Sequence, residues 1–319
     1  MIDHTPVVSV IIATYNWSSV LRYAIQSVLW QTFQDFELLV IGDGCTDDTA
    51  EVVAAFDDAR IRWHNLPKNT GHQSIPNNTG IAMARGAYVA YLGHDDLWYP
   101  THLANLVAAA ESTSADLAYS MAVMIGPEGS GIRSLKGVPK PDAPPTWIPM
   151  PIPSSVLHRQ TLTSEIGGWR EYRTIDLTPD IDLVKRAHAA GKRFAAVPEL
   201  TAFKFPSAWR RNSYITKPSH EQADYARRIQ TEPNFLYEEM KAIAIAYLRS
   251  KTEYAPIVTP AAAPTGWLVE QYRLIRGLEA KPLPEVTILH RLQILRKAIN
   301  RRVPRRLRVV KHLRDVLRR

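Results

Sequence analysis

The chain is poor in the residues that would staple it or anchor it. Its 319 residues include one cysteine, Cys45. That excludes an intramolecular disulfide and a multi-cysteine zinc site, and fits a reducing compartment. No paired-histidine zinc motif occurs, and no internal repeat. No stretch approaches the roughly 18 uninterrupted apolar residues that a membrane-spanning helix needs. The opening Met1-Ile2-Asp3-His4-Thr5-Pro6 lacks the basic, apolar and small-residue succession of a signal peptide, so a cytoplasmic location is the expectation. What is present is an ordinary globular composition, 45% hydrophobic and 22% charged with a mean hydropathy of −0.19, enough apolar mass for a substantial core.

The formal net charge of +8 is unevenly placed. Residues 285–319 carry twelve Lys or Arg against two acids, Glu285 and Asp315, and the rest of the chain is slightly negative. Within that tail, apolar residues from Ile288 to Leu317 recur at spacings of three and four, interrupted at Pro304, which reads as one or two amphipathic helices. Three readings stay open for it: a peripheral anchor on an anionic membrane surface, packing on the body or on a second copy in a homo-oligomer, and nucleic-acid binding. The body lacks the interleaved basic and aromatic strand positions that would support nucleic acid, so no nucleic-acid partner is expected.

The first hundred residues alternate strand and helix patterns. Strands are expected at 7–13, 36–41, 61–64 and 87–92, with helices after Asn16, over 46–56 (capped by Thr46 or Asp47) and over 75–85. Such alternation predicts a mostly parallel sheet covered by helices on both faces. Ligands of such sheets bind beyond the carboxyl ends of the strands, so the polar loops 14–17, 42–48 and 93–98 should converge. Residues 126–153, rich in Pro and Gly, read as a long loop. A helix follows to about Glu165. Another is expected over 180–190, with Thr178 as cap and Pro179 in its first turn. Two short strands are expected in 193–206, helix over 219–249 and a linker over 256–264.

Several of these loops carry chemistry. Asp95-Asp96 follows the fourth strand, where adjacent carboxylates suit Mg²⁺ or Mn²⁺ with phosphate supplying further ligands; the alternative is a polar turn before a helix. Asp43, between Gly42 and Gly44, can accept a hydrogen bond from a nucleobase N–H or can simply hold a turn. Lys204, Trp209 and Arg210 could contact a diphosphate and a sugar or form a surface turn.

Read in order, these segments resemble family 2 glycosyltransferases. The likeness is carried by Val8-Ser9-Val10-Ile11-Ile12-Ala13-Thr14-Tyr15-Asn16, Ser27-Val28-Leu29-Trp30-Gln31-Thr32, Glu37 to Thr49, Asn69-Thr70-Gly71, Asn78 to Gly86 and Gly93-His94-Asp95-Asp96. Gly167-Gly168-Trp169 and Asp180 to Arg186 continue it, so that it spans about residues 7–206. It implies a GT-A fold: a Rossmann-like nucleotide-binding half plus an acceptor half, with a helical C-terminal extension. The implied boundaries are 1–215 for the glycosyltransferase domain (donor half about 1–115, acceptor half about 116–215), 216–255 for a helical extension, 256–284 for linker and helix, and 285–319 for the tail.

The implied activity is inverting transfer of a sugar from a nucleotide donor to an acceptor hydroxyl, in cell-surface glycan or polysaccharide synthesis. Thr14 and Asn16 would line the nucleotide pocket, Asp43 would contact the base, and Asp95 would sit near the ribose or diphosphate. Asp96 would hold the divalent metal, Mn²⁺ or Mg²⁺, and Asp180 would be the general base. The donor would be a UDP-sugar, with GDP- and dTDP-sugars open, and the acceptor a glycan or a lipid-linked glycan on the inner face of a membrane. His72 and His94 flank this donor site, where a lone histidine reads as structural, and Cys45 is expected to pack.

Two departures from the family pattern keep a catalytically silent sugar-nucleotide-binding or scaffold protein as the alternative. Gly93 stands where many members have a further Asp. Pro179 stands where many have Glu before the catalytic Asp. The second leaves Asp182 as a competitor for the base, although about 200° of helix rotation separates it from Asp180; Asp176 is a weaker one.

Overall fold

The computed structural model describes residues 4–140, 142, 148–253 and 263–281. The expected basic tail, most of the expected linker and part of the 126–153 loop lie outside the described residues. In the first part of the chain, β1 (Val8–Thr14), α1 (Ser18–Leu29), β2 (Phe36–Gly42), α2 (Thr49–Ala54), β3 (Ile61–Asn65), α3 (Ser74–Met83) and β4 (Tyr88–Tyr91) follow the expected alternation. The second part comprises β5 (Leu97–Trp98), α4 (His102–Ser112), β6 (Leu117–Ile125), β7 (Arg133–Lys136), β8 (Val156–Arg159), α5 (Gln160–Ile166), α6 (Pro179–Ala189) and β9 (Phe194–Lys204). After it come α7 (Ser213–Thr216), α8 (His220–Thr231), α9 (Phe235–Leu248) and α10 (Trp267–Ile275).

These strands form one sheet in the order β3-β2-β1-β4-β8-β6-β9-β5, with β7 paired to β6. β1, β2, β3 and β4 are mutually parallel, β8 is antiparallel to β4 and to β6, and β9 runs parallel to β6. β1 is mostly apolar, Ser9 and Thr14 excepted, because both its faces are covered. Val8, Val10 and Ile12 pack with Leu21, Ala24, Ile25 and Val28 of α1, while Ile11 packs on the other face with Leu39, Ile41, Trp169 and Leu183. Each such buried aliphatic contributes about 1.5–3 kcal/mol. The chain leaves β1 for β2 on one side and returns to β4 on the other. That makes the ends of β1 and β4 a topological switch point, with a crevice beyond their carboxyl ends.

Four local expectations are corrected. Residues 193–206 hold one long strand, not two, because β9 follows β6 through register irregularities near Met121. The helix expected over 219–249 is two helices, broken at Pro233, which has no N–H to continue the ladder. The expected 126–153 loop contains β7, hydrogen-bonded to β6. At the start of α6, Pro179 is in the first turn as expected, but Thr178 makes no side-chain cap. Among the described residues no helix is long and apolar enough to cross a membrane.

Candidate active site

A cleft of about 300 Å³ opens over the switch point. Thr14 and Tyr15 after β1, Asp43 after β2, and Gly93, His94 and Asp95 after β4 line it, so the three polar loops converge as expected. Asn69, Gly71 to Gln73, Asp180 of α6, Lys204 of β9, the 206–209 turn, Tyr214 and one side of the α10 segment complete its walls.

Asp43 is 4% exposed. Its Oδ1 accepts hydrogen bonds from the Thr70 backbone N–H (2.8 Å) and hydroxyl (2.7 Å). Oδ2 accepts from Asn69 Nδ2 (3.0 Å) and the Gly71 N–H (3.1 Å). The carboxylate thus fixes the 69–71 loop as a wall of the cleft. Gly44 makes the close approach feasible, since a Cβ there would fall 2.4 Å from the Asn69 nitrogen. Thr14 lines the cleft, its hydroxyl 2.9 Å from His94 Nδ1 in a hydrogen bond. Asn16, expected beside it, does not line the cleft. It adopts a left-handed backbone (φ 45°) and its Oδ1 accepts from the N–H groups of Thr46 (2.7 Å) and Asp47 (3.3 Å), shaping the loop before α2 instead.

The two adjacent aspartates separate. Asp96, the expected metal ligand, is fully buried and does not line the cleft. Its Oδ2 accepts from the Ser154 hydroxyl (2.5 Å) and from Lys204 Nζ (3.0 Å), and Oδ1 accepts from the Phe205 N–H (3.1 Å). Burial pulls the Lys204 ammonium down, but Asp96 and Asp95 outweigh it and hold its pKa above the usual lysine value. Asp95 does line the cleft, and its carboxylate accepts no hydrogen bond from a described residue. A Cβ on Gly93 would fall 2.6 Å from Asp96 Oδ2, which is why the inward-turned Asp96 requires glycine there. Among the described residues no group of three His, Cys, Asp or Glu is arranged around a metal. A cation at this site would take one carboxylate from Asp95 and further oxygens from a ligand's phosphates, a donor set suited to Mg²⁺ or Mn²⁺.

Asp180 and Asp182 separate in the same way. Asp180 lines the cleft and its carboxylate has no partner among the described residues. Asp182, 8% exposed, is bound by Arg186 Nε at 2.7 Å and lies 3.7 Å from Arg170. Arg186 in turn donates to the carbonyls of Ile166, Gly167 and Gly168, so Asp182 secures the α5–α6 connection. Asp176 is exposed, accepts from the Thr265 hydroxyl and does not line the cleft.

Lys204 and Trp209 line the cleft, but Arg210 does not. Its guanidinium forks onto Glu221 (2.5 and 2.7 Å) and donates to the carbonyls of Gly126 and Pro206, a cross-link between β6 and α8. His94 is kept low by burial. His72 is pushed down to about 3 by burial and by the nearby Arg276 and Arg273. The Cys45 thiol is raised by burial and lies 3.6 Å from the Thr14 carbonyl. Tyr214, Tyr272, Arg273 and Arg276 also line the cleft and carry no signal in the family motifs. The one available clue was the i, i+3 spacing of the two arginines, which sets them on one helix face.

The model of the family "Glycosyl transferase family 2" matches residues 9–166. The succinoglycan biosynthesis protein ExoO of Rhizobium meliloti is 32% identical over 158 residues, 50% of this chain and 45% of that protein. The poly(ribitol-phosphate) beta-N-acetylglucosaminyltransferase TarP of Staphylococcus aureus is 36% identical over 137 residues, 42% of this chain and 39% of that one. The matches thus span less than half of either relative. The structure of S. aureus TarS residues 1–349 in complex with UDP superimposes with a TM-score of 0.51 at 17% identity, over 75% of this chain and 74% of that one, a likeness of fold. Through residues 9–166, on a GT-A fold, the chain belongs to glycosyl transferase family 2.

Proposed function

We propose that the chain is an inverting glycosyltransferase that moves a sugar from a nucleoside-diphosphate donor to an acceptor hydroxyl. The observation that carries this reading is that Asp95 and Asp180 line one cleft at the switch point with carboxylates free of partners among the described residues. A hydroxyl is a poor nucleophile until a carboxylate takes its proton in the transition state, and Asp180 is available for that proton. Asp95 would hold Mn²⁺ or Mg²⁺ together with the donor's phosphates, in place of Asp96. The cation, when bound, neutralises charge developing on the departing nucleoside diphosphate. Thr14 and Asp43 would border the nucleoside end, and Lys204, neutralised by Asp96, would support Asp95 from behind. With one base and one direct displacement, the anomeric centre inverts and no sugar–enzyme bond forms.

The relatives' names, a succinoglycan biosynthesis protein and a poly(ribitol-phosphate) transferase, support a cell-surface glycan as acceptor, and the UDP-bound neighbour supports a UDP-sugar donor. The test is release of nucleoside diphosphate from UDP-, GDP- and dTDP-sugars, with and without Mn²⁺, by wild type, Asp95→Asn and Asp180→Asn. Metal-dependent release from one donor, lost in both variants, is expected. Donor binding without turnover over broad acceptor mixtures would favour the silent binder, and absence of binding would remove the donor site.

A further inference from the structure

The wall of the cleft contributed by α10 lies beyond the 9–166 family match, and its two arginines differ in how they are used. Arg273 is consumed by the protein. It is 5% exposed, both its terminal nitrogens donate, to the carbonyls of Gly71 and Glu279, and its Nε, which makes no hydrogen bond, lies 3.6 Å from Glu270. Glu270 is itself tied to the Tyr172 hydroxyl and to the Lys281 N–H (2.9 Å). This network bolts α10 to the 69–71 loop and to residue 172.

Arg276, one turn further, lines the same cleft, but its guanidinium makes no hydrogen bond or ion pair with any described residue, and its Nε is buried without an acceptor among them. Its backbone is nonetheless fixed: the Asn212 N–H donates to the Ile275 carbonyl (2.7 Å) and the Tyr214 N–H to the Arg276 carbonyl (3.0 Å). A buried N–H left without an acceptor is destabilising, a penalty that a ligand's oxygen would remove. The rest of the cleft narrows the ligand. Its free carboxylates, Asp95 and Asp180, repel an anion. Lys204 is already paired with Asp96. Arg276 is therefore the one cleft cation among the described residues left to receive negative charge. A planar guanidinium matches two phosphate oxygens at once, and its field reaches His72, His94 and Lys204, which line the same cleft.

We infer that Arg276 binds the diphosphate of the nucleotide donor, so that α10 supplies part of the donor site from outside the family segment. This rests on the donor-site reading above. The test is calorimetric titration of the full chain with UDP, GDP and dTDP in Mn²⁺, and with the matching nucleosides, for wild type, Arg276→Gln and Arg276→Lys. For the diphosphate that wild type binds, Kd should rise about 10- to 100-fold in Arg276→Gln and partly recover in Arg276→Lys. Nucleoside affinity and the ligand-free Tm should stay unchanged. Equal diphosphate affinity in wild type and Arg276→Gln would overturn the inference and leave the donor site standing. A parallel loss of nucleoside affinity would overturn it too, by placing the residue's effect on the base or the fold. If wild type binds none of the three diphosphates, the donor-site reading falls and takes the inference with it.

Discussion

Nζ of Lys204 lies 3.0 Å from Oδ2 of Asp96, so that a lysine lining the cleft is held from behind by a fully buried carboxylate. Two adjacent aspartates therefore do different work, Asp96 joining β9 to the loop after β4 and Asp95 meeting whatever enters. Asp96→Asn would leave a largely buried ammonium without its counter-charge, a loss on the order of 3–5 kcal/mol. Asp95→Asn should leave stability within about 0.5 kcal/mol while lowering metal-dependent activity. Urea unfolding of both variants decides this, and the opposite ranking would return the metal role to Asp96.

Gly93 is the place where many family members carry a further acid. Restoring it as Gly93→Asp should weaken the fold and not improve metal affinity, because the new Cβ falls 2.6 Å from Asp96 Oδ2 and adds a third carboxylate beside two. A Tm below wild type by several degrees is expected, as for a loss of 1 kcal/mol or more. A variant as stable as wild type with tighter Mn²⁺ binding would show that the loop relaxes freely.

Asp180→Asn should cut transfer by about 10²- to 10⁴-fold, the range for a general base, with donor affinity and Tm unchanged. Asp182→Asn should do the reverse, because Asp182 is the partner of Arg186. Steady-state rates beside melting curves separate the two, and full activity in Asp180→Asn would move the base elsewhere.

His102 stacks on Trp98 with ring centroids 4.3 Å apart. Its Nδ1 is hydrogen-bonded with the Thr201 hydroxyl and its Nε2 has no partner among the described residues. Burial lowers its pKa from 6.5 to about 3. As pH falls below 6.5 the unfolded chain binds this proton before the folded one does, so stability drops down to about pH 3. His102→Gln should flatten the dependence of unfolding free energy on pH between 6 and 4 by about 1.4 kcal/mol per pH unit. An unchanged slope would mean that His102 protonates in place.

The parallel half of the fold was legible because its signals are local. A strand buried on both faces has to be mostly apolar, as Val8 to Ala13 is apart from Ser9, and β-strand and helix periodicities alternate cleanly up to Leu92. Less was legible after that. β7 joins β6 through backbone hydrogen bonds that do not depend on its side chains, so Arg133–Lys136 shows little apolar pattern. The long helical run after 219 carried a continuous apolar pattern across Pro233, and only the proline marked the break.

For the site, the residue types and their order along the chain were enough to bring Thr14, Asp43, Asp95, Asp180 and Lys204 to one cleft. Which carboxylate of each close pair faces that cleft was decided by tertiary contacts. Asp95 and Asp96 are chemically identical, and so are Asp180 and Asp182; a buried partner more than 100 residues away, Lys204, claims one, and Arg186, braced by the turn at 166–168, claims the other. Arg276 was beyond sequence reasoning for the same cause: an arginine's availability depends on which acceptors the fold leaves near it. The sequence by itself determined the parallel half of the sheet, the switch point and the set of candidates, since those follow from periodicity and chain order. Only the tertiary structure assigned the charges their partners, because pairing energies fall off within a few ångströms and those distances exist only after folding.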